Sequence, residues 1–92
     1  MLEHKIPAIN QDYRVEKFEN EIILYTISGT KVIALNETAY MVYQLCNGEL
    51  TVGEMVKMLS DAYPGQEEAI RADTISAVET MRDNGVIEFS DE

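Results

Sequence analysis

The side chains that most often carry out chemistry in proteins are scarce in this sequence. Histidine and cysteine occur once each, as His4 and Cys46. A structural zinc site needs about four such ligands, so a site built from histidine and cysteine is excluded. Cys46 falls on the apolar side of a predicted helix, where a small buried hydrophobic residue is the ordinary interpretation and a reactive thiol the less common one.

The remaining chemical candidates have ordinary structural explanations. Glu67 and Glu68 are adjacent, but neighbouring positions on a helix do not face each other. Acidic residues near a helix N-terminus are also expected from the helix dipole. No glycine-rich loop follows a strand at the spacing that binds phosphate. The sequence therefore predicts a protein that is not an enzyme and that needs no metal or cofactor.

Length and charge restrict the class of protein further. The chain has 92 residues, of which 46% are hydrophobic, and this predicts a single globular domain. Its 7 basic residues face 17 acidic ones, for a net charge of −10. Such a surface repels nucleic acid and anionic membranes. With no long apolar run and no second cysteine for a disulfide, we expect a cytoplasmic protein.

The first half of the chain has the patterns of β-strands. Residues 13–18 alternate between the two faces of a strand. Residues 22–27 and 31–35 are rich in β-branched and apolar side chains, with Ser28 and Gly29 in the turn between them. Three short strands with short connections predict an antiparallel meander.

The second half has the spacing and the caps of helices. Asn36 is placed to cap a helix over residues 37–46. Thr51 and Glu54 match the capping box at the start of a second helix. A third helix is predicted over residues 67–83.

The order of these elements predicts the fold class. Strands and helices are segregated along the chain, which is typical of an α+β domain rather than of a parallel α/β sheet. We expect a winged helix-turn-helix-like fold, with a three-stranded antiparallel sheet followed by three helices. Residues 86–89 form a short extended tail, and residues 1–10 are expected to be a loose N-terminal segment of the single domain 1–92.

Several short motifs follow one another in a characteristic order. Residues 32–39 read VIALNETA, residues 45–48 read LCNG and residues 51–56 read TVGEMV. Closer to the C-terminus, residues 73–75 read DTI and residues 85–87 read GVI. None of these motifs is specific alone, but their order over nearly the whole chain resembles the PqqD family.

The resemblance implies both a fold and a function. PqqD-like proteins have the same winged arrangement, and they are non-catalytic peptide chaperones. They bind the leader segment of a ribosomally made precursor peptide, such as PqqA, and present it to a modifying enzyme. In the biosynthesis of pyrroloquinoline quinone (PQQ) that enzyme is a radical SAM enzyme. Residues 24–29 depart from a run that is common in the family, so PQQ and another modified peptide both stay open.

The resemblance also implies where the peptide binds. In the family the leader adds as an extra strand beside the third strand of the sheet, in the groove against the third helix. A sheet edge suits this role, because its unpaired N–H and C=O groups accept an extended peptide. We therefore expect the ladder to come from Lys31, Val32, Ile33, Ala34 and Leu35, and the groove wall from Thr74, Ala77, Val78 and Met81. The four wall residues fit an ordinary helix–sheet core equally well.

Two other functions and one assembly stay open at this stage. The chain could be a small scaffold or subunit of a modifying enzyme, with no peptide ligand of its own. A winged helix could bind DNA, but the third predicted helix has two arginines against five acidic residues, which suits a phosphate-lined groove poorly. An exposed strand edge could also pair with a second copy to form a homodimer.

Overall fold

The computed structural model describes residues 2–29 and 31–89, and its elements follow the predicted order. After a short N-terminal strand, three strands are followed by three helices and a last short strand. The strands are β1 (Pro7–Ile9), β2 (Tyr13–Lys17), β3 (Ile22–Thr26), β4 (Val32–Leu35) and β5 (Ile87–Phe89), and the helices are α1 (Glu37–Leu45), α2 (Val52–Ala62) and α3 (Glu67–Asp83). The α+β class is confirmed, and β1 is an element that the sequence did not predict.

The predicted meander is the main sheet of the domain. Its strand order is β2-β3-β4, and both pairs are antiparallel. Leu24 stands opposite Val15 on one side and Ile33 on the other, so these three side chains share one face. Leu24 is fully buried, which identifies this as the face that packs on the core.

The predicted helix caps are present. The Asn36 side-chain oxygen accepts a hydrogen bond from the Ala39 N–H at 2.7 Å. The Thr51 hydroxyl accepts one from the Glu54 N–H at 3.1 Å, and the Glu54 carboxylate accepts one from the Thr51 N–H at 2.9 Å. These local bonds satisfy N–H groups that the helices leave unpaired, and they fix where α1 and α2 begin.

The expectation of a loose segment over residues 1–10 is wrong for the residues described. β1 pairs with β5 in a second antiparallel sheet, in which Pro7 stands opposite Phe89. Pro7 is fully buried, and the Lys5 carbonyl accepts a hydrogen bond from the Val52 N–H at 2.9 Å. The partner strand lies at the other end of the chain, so no local pattern in residues 1–10 reveals the pairing.

One hydrophobic core joins all of these elements. The helices pack on the inner face of the β2-β3-β4 sheet, and Ile87 and Phe89 of β5 belong to the same core. Its most deeply buried hydrophobic residues, all at most 2% exposed, are Leu24, Val42, Cys46, Val52, Met55, Val78, Met81, Val86 and Ile87. The core thereby fixes β4 and α3 relative to each other.

Candidate functional site

A groove between β4 and α3 lies at the open edge of the main sheet. Strand β4 is an edge of the meander, with β3 on one side and no described strand on the other. Helix α3 runs past this open edge and leaves a groove of about 280 Å³. Its lining residues are Ile33, Ala34, Leu35, Asn36, Thr38, Ala39, Asp73, Ser76, Ala77, Thr80 and Met81.

The pairing of β3 with β4 decides which backbone groups face the open edge. The Thr26 N–H donates to the Lys31 carbonyl at 3.1 Å, so the carbonyl of Lys31 points toward β3. In an antiparallel pair the backbone groups of successive residues point to opposite sides of the strand. Ile33 therefore bonds to β3, whereas the N–H and C=O groups of Val32 and Ala34 point to the open edge. An added strand would pair with these two residues.

Helix α3 forms the opposite wall with one stripe of its surface. Asp73, Ser76, Ala77 and Thr80 follow each other at intervals of three, one and three residues, which places them on one face of the helix. Their side chains are short, so the groove stays open along the helix. Ala77 leaves the most room beside the backbone of β4.

The two ends of the groove differ. At one end the Lys31 ammonium group donates a hydrogen bond to the Asn84 carbonyl at 3.3 Å, joining the start of β4 to the end of α3. At the other end the chain turns from β4 into α1 at Asn36, and the wall continues with Thr38. Strand β4 and helix α3 therefore run in opposite directions, and the Lys31–Asn84 contact restricts the groove at one end.

The structure places the predicted strand residues at the groove, with one exception in side-chain direction. Ile33, Ala34 and Leu35 line it, and Lys31 restricts one end. The Val32 side chain is not part of the lining and is 69% exposed. Val32 thus contributes backbone groups to the open edge rather than a side chain to the groove.

The predicted helix residues divide into two groups. Ala77 and Met81 line the groove, although Met81 is only 1% exposed. Thr74 and Val78 are 0% exposed and belong to the core side of α3, so their placement in the groove wall is wrong. A helical stripe identifies the buried side of a helix, but it does not separate the part facing the sheet interior from the part facing a groove.

The groove also contains residues that the sequence analysis missed. Asp73, Ser76 and Thr80 are polar and exposed, so a search for apolar stripes does not select them. The available signal was their spacing from Ala77, because positions three or four residues away lie on the same helical face.

The single thiol takes no part in the site. Cys46 is 1% exposed, its sulfur donates a hydrogen bond to the Val42 carbonyl at 3.2 Å, and burial raises its pKa to about 12. A thiol is a nucleophile only as the thiolate, so Cys46 is an inert core residue. Over residues 2–29 and 31–89, no cluster of three His, Cys, Asp or Glu side chains is placed to hold a metal ion.

None of the described helices is both long enough and apolar enough to cross a bilayer.

Comparisons with known proteins agree with this fold. The chain is 30% identical, over 81 residues, to a PqqA binding protein of Bradyrhizobium diazoefficiens, covering 88% of this chain and 79% of the relative. Among solved structures it resembles a lasso peptide synthetase B1 complexed with the leader peptide (TM-score 0.71, 18% identity, covering 90% of this chain and 98% of that one).

A second solved structure belongs to the same fold. It is the PqqD truncation of Methylobacterium extorquens PqqCD, a stand-alone recognition element for ribosomally synthesized and post-translationally modified peptides. The TM-score is 0.70 at 23% identity, over 89% of this chain and 87% of that one. The sequence model of coenzyme PQQ synthesis protein D matches residues 21–87. On the strength of this match and of the Bradyrhizobium relative, the chain belongs to the PqqD family.

Proposed function

We propose that this chain is a peptide chaperone, which binds the leader of a ribosomally made precursor peptide as an added strand beside β4. The observation that carries the proposal is the open edge of β4, with α3 held across a groove from it. Val32 and Ala34 offer backbone donors and acceptors there, and the short side chains of α3 leave room for a peptide.

The size of the edge sets the size of the paired segment. Strand β4 has four residues, and a strand rises roughly 3.3 Å per residue, so the edge is about 13 Å long. We expect roughly four leader residues to pair with it. Main-chain hydrogen bonds would supply much of the affinity, and alternate leader side chains would enter the groove and supply specificity.

The relatives support a peptide ligand. The Bradyrhizobium relative is a PqqA binding protein, and the lasso peptide synthetase subunit was solved with a leader peptide. By analogy, the precursor of this chain is a PqqA-like peptide or the precursor of another modified peptide. We further propose that the chain acts in the cytoplasm and presents the leader to a radical SAM enzyme.

The other two functions have less support. Binding to DNA is disfavoured because α3, the helix that would enter the major groove of the DNA, has only Arg71 and Arg82 against five acidic residues. A scaffold without a peptide ligand would not need an open strand edge facing a helix across a groove.

The direct test is calorimetric titration with two synthetic leaders. One is the leader of the precursor encoded beside this chain's gene, and the other is the PqqA leader. We expect at least one of them to bind with a Kd in the micromolar range or tighter. A scrambled leader of identical composition is the control for binding by charge alone. Failure of both leaders to bind the folded protein would contradict the proposal.

The partner enzyme requires a separate measurement. A radical SAM enzyme encoded beside this chain should modify its precursor faster when the chain is added, and a precursor without its leader should lose this stimulation. Equal modification with and without the chain would contradict the presenting role. A homodimer formed through the β4 edge is expected to dissociate when leader is added, which sedimentation would show.

A further inference from the structure

The groove continues past the end of β4 into a second hollow. This hollow has a volume of about 230 Å³ and lies over the first turns of α1, where it meets the last turn of α2 and the first half of α3. It shares Thr38 and Asp73 with the groove beside β4. The two depressions are therefore neighbouring parts of one channel along α3.

The helix itself provides the continuity. Ala69, Ile70 and Asp73 line the hollow, and the same stripe continues with Ser76 and Ala77 along the groove. The positions repeat at three and four residues, so one face of α3 borders both depressions. A peptide that leaves the edge of β4 along this face reaches the hollow next.

The lining of the hollow combines an apolar floor with an acidic rim. Leu59 is buried and Met41 and Ile70 are half-buried, while Glu37 and Asp73 are exposed at the same hollow. The volume lies below the roughly 300–1,000 Å³ that is typical of small-molecule sites, so the hollow suits one side chain. A long aliphatic stem with a cationic head matches both the floor and the rim.

We infer that this hollow is a specificity pocket for a lysine or arginine of the leader. The inference rests on the proposed function, and it adds a charge requirement to strand pairing. The sheet is antiparallel throughout, so we take the leader strand to be antiparallel to β4 as well. Such a strand begins beside Leu35, and the basic residue therefore lies on the N-terminal side of the paired segment.

The distance along α3 fixes the spacing. Asp73 is three residues after Ile70 and four after Ala69, which corresponds to roughly 5–6 Å along the helix. An extended peptide covers that distance in about two residues. The basic residue is thus expected about one to three residues before the segment that pairs with β4.

Selection from a library of random linear peptides tests this without knowledge of the natural precursor. The immobilised full chain is expected to enrich peptides with alternating apolar residues that are preceded, at a constant spacing, by lysine or arginine. The double variant Glu37→Lys/Asp73→Lys is expected to lose the basic preference. The control Glu16→Lys/Glu88→Lys changes the net charge equally, away from the channel, and is expected to keep both the basic preference and the apolar pattern.

Folding of the variants is checked by thermal unfolding, because Glu37 stands in the first turn of α1, where an acidic side chain favours the helix. If the lysine pair destabilises α1, the milder Glu37→Gln/Asp73→Asn pair replaces it. An enriched peptide and its Lys→Met version are then compared by calorimetry. For the wild-type protein, we expect the Lys→Met change in the peptide to weaken binding about three- to tenfold. For the protein variant, we expect the same change to have almost no effect on affinity.

The outcomes separate the inference from the function on which it rests. If no peptide is enriched by the folded wild type, strand binding itself fails. If alternating apolar peptides are enriched without a basic residue at a constant position, only the pocket assignment is overturned. The pocket assignment is also overturned if the basic preference survives in Glu37→Lys/Asp73→Lys, or if the basic residue lies on the C-terminal side of the alternating apolar segment.

Discussion

The two edges of the meander, β2 and β4, differ in the charge of their side chains and in whether another element lies across them. Three of the five β2 residues are charged, and all but Tyr13 are exposed. The Arg14 guanidinium group also donates to the Tyr13 carbonyl at 3.0 Å, which points to the open side of β2. Strand β4 has no charged residue, and helix α3 lies across its edge.

The difference indicates which edge is built to be paired. Charged side chains on an edge strand disfavour pairing with another chain, and β2 has this protection. An apolar edge strand without such charges can aggregate by pairing with other chains, unless a neighbouring element shields the strand or a ligand pairs with it. Helix α3 lies across the β4 edge, so we expect this edge to accept an extended peptide in the groove and to be shielded from unspecific pairing with other sheets.

The largest expected effect concerns the side of β4 that is already paired. Ile33→Pro removes an N–H that bonds to β3 in the middle of a four-residue strand, and we expect it to lower the free energy of unfolding by about 3 kcal/mol. Ala34→Pro removes an N–H on the open side and is expected to cost on the order of 1 kcal/mol or less. Urea unfolding followed by circular dichroism measures both. Equal losses would contradict the assignment of inward and outward groups.

The second prediction compares the two open edges by affinity. Ala34→Pro and Val15→Pro each remove one outward N–H, from β4 and from β2 respectively. We expect Ala34→Pro to weaken leader binding by about tenfold, since it loses one ladder hydrogen bond and adds a ring at the edge. Val15→Pro is expected to leave the Kd unchanged. Calorimetry on folded variants measures both affinities. A larger loss of affinity in Val15→Pro than in Ala34→Pro would indicate that the leader binds at β2.

The smallest effect is expected from filling the groove. Ser76→Trp places a large side chain on the groove face of α3, and we expect about fivefold weaker leader binding through steric exclusion. Ala62→Trp is the matched control, because Ala62 is an exposed residue of helix α2 and does not line the groove. Fluorescence titration with a labelled leader compares the two. Equal affinities would mean that the peptide does not contact this face of α3.

Local signals in the sequence predicted most of the fold. The Asn36 cap and the capping box of Thr51 and Glu54 are contacts within four residues, and α3 has the predicted bounds, Glu67–Asp83. The pairing of Pro7 with Phe89 was missed because it joins two three-residue strands from opposite ends of the chain. Neither strand is long enough to show the alternation of apolar and polar residues by which a strand is predicted.

The candidate site was predicted more accurately on the strand than on the helix. Consecutive residues of a strand lie along the same edge, so Ile33, Ala34 and Leu35 all line the groove, whereas Val32 contributes only backbone groups there. On α3, Thr74 and Val78 were assigned to the groove but lie in the core, while Asp73 and Ser76 were missed. The border between core and groove on a helix depends on where the sheet ends, which is a property of the tertiary structure.

Amide hydrogen exchange by NMR tests the central claim most directly, because it reads the two edges in one experiment. On addition of saturating leader, the amides of Val32 and Ala34 are predicted to exchange at least about tenfold more slowly, since each edge N–H would enter a hydrogen bond. The outward amides of Val15 and Lys17 on β2 are predicted to keep their rates. Protection gained by Val15 and Lys17 instead, or by neither pair while the leader is bound, would contradict strand addition at β4.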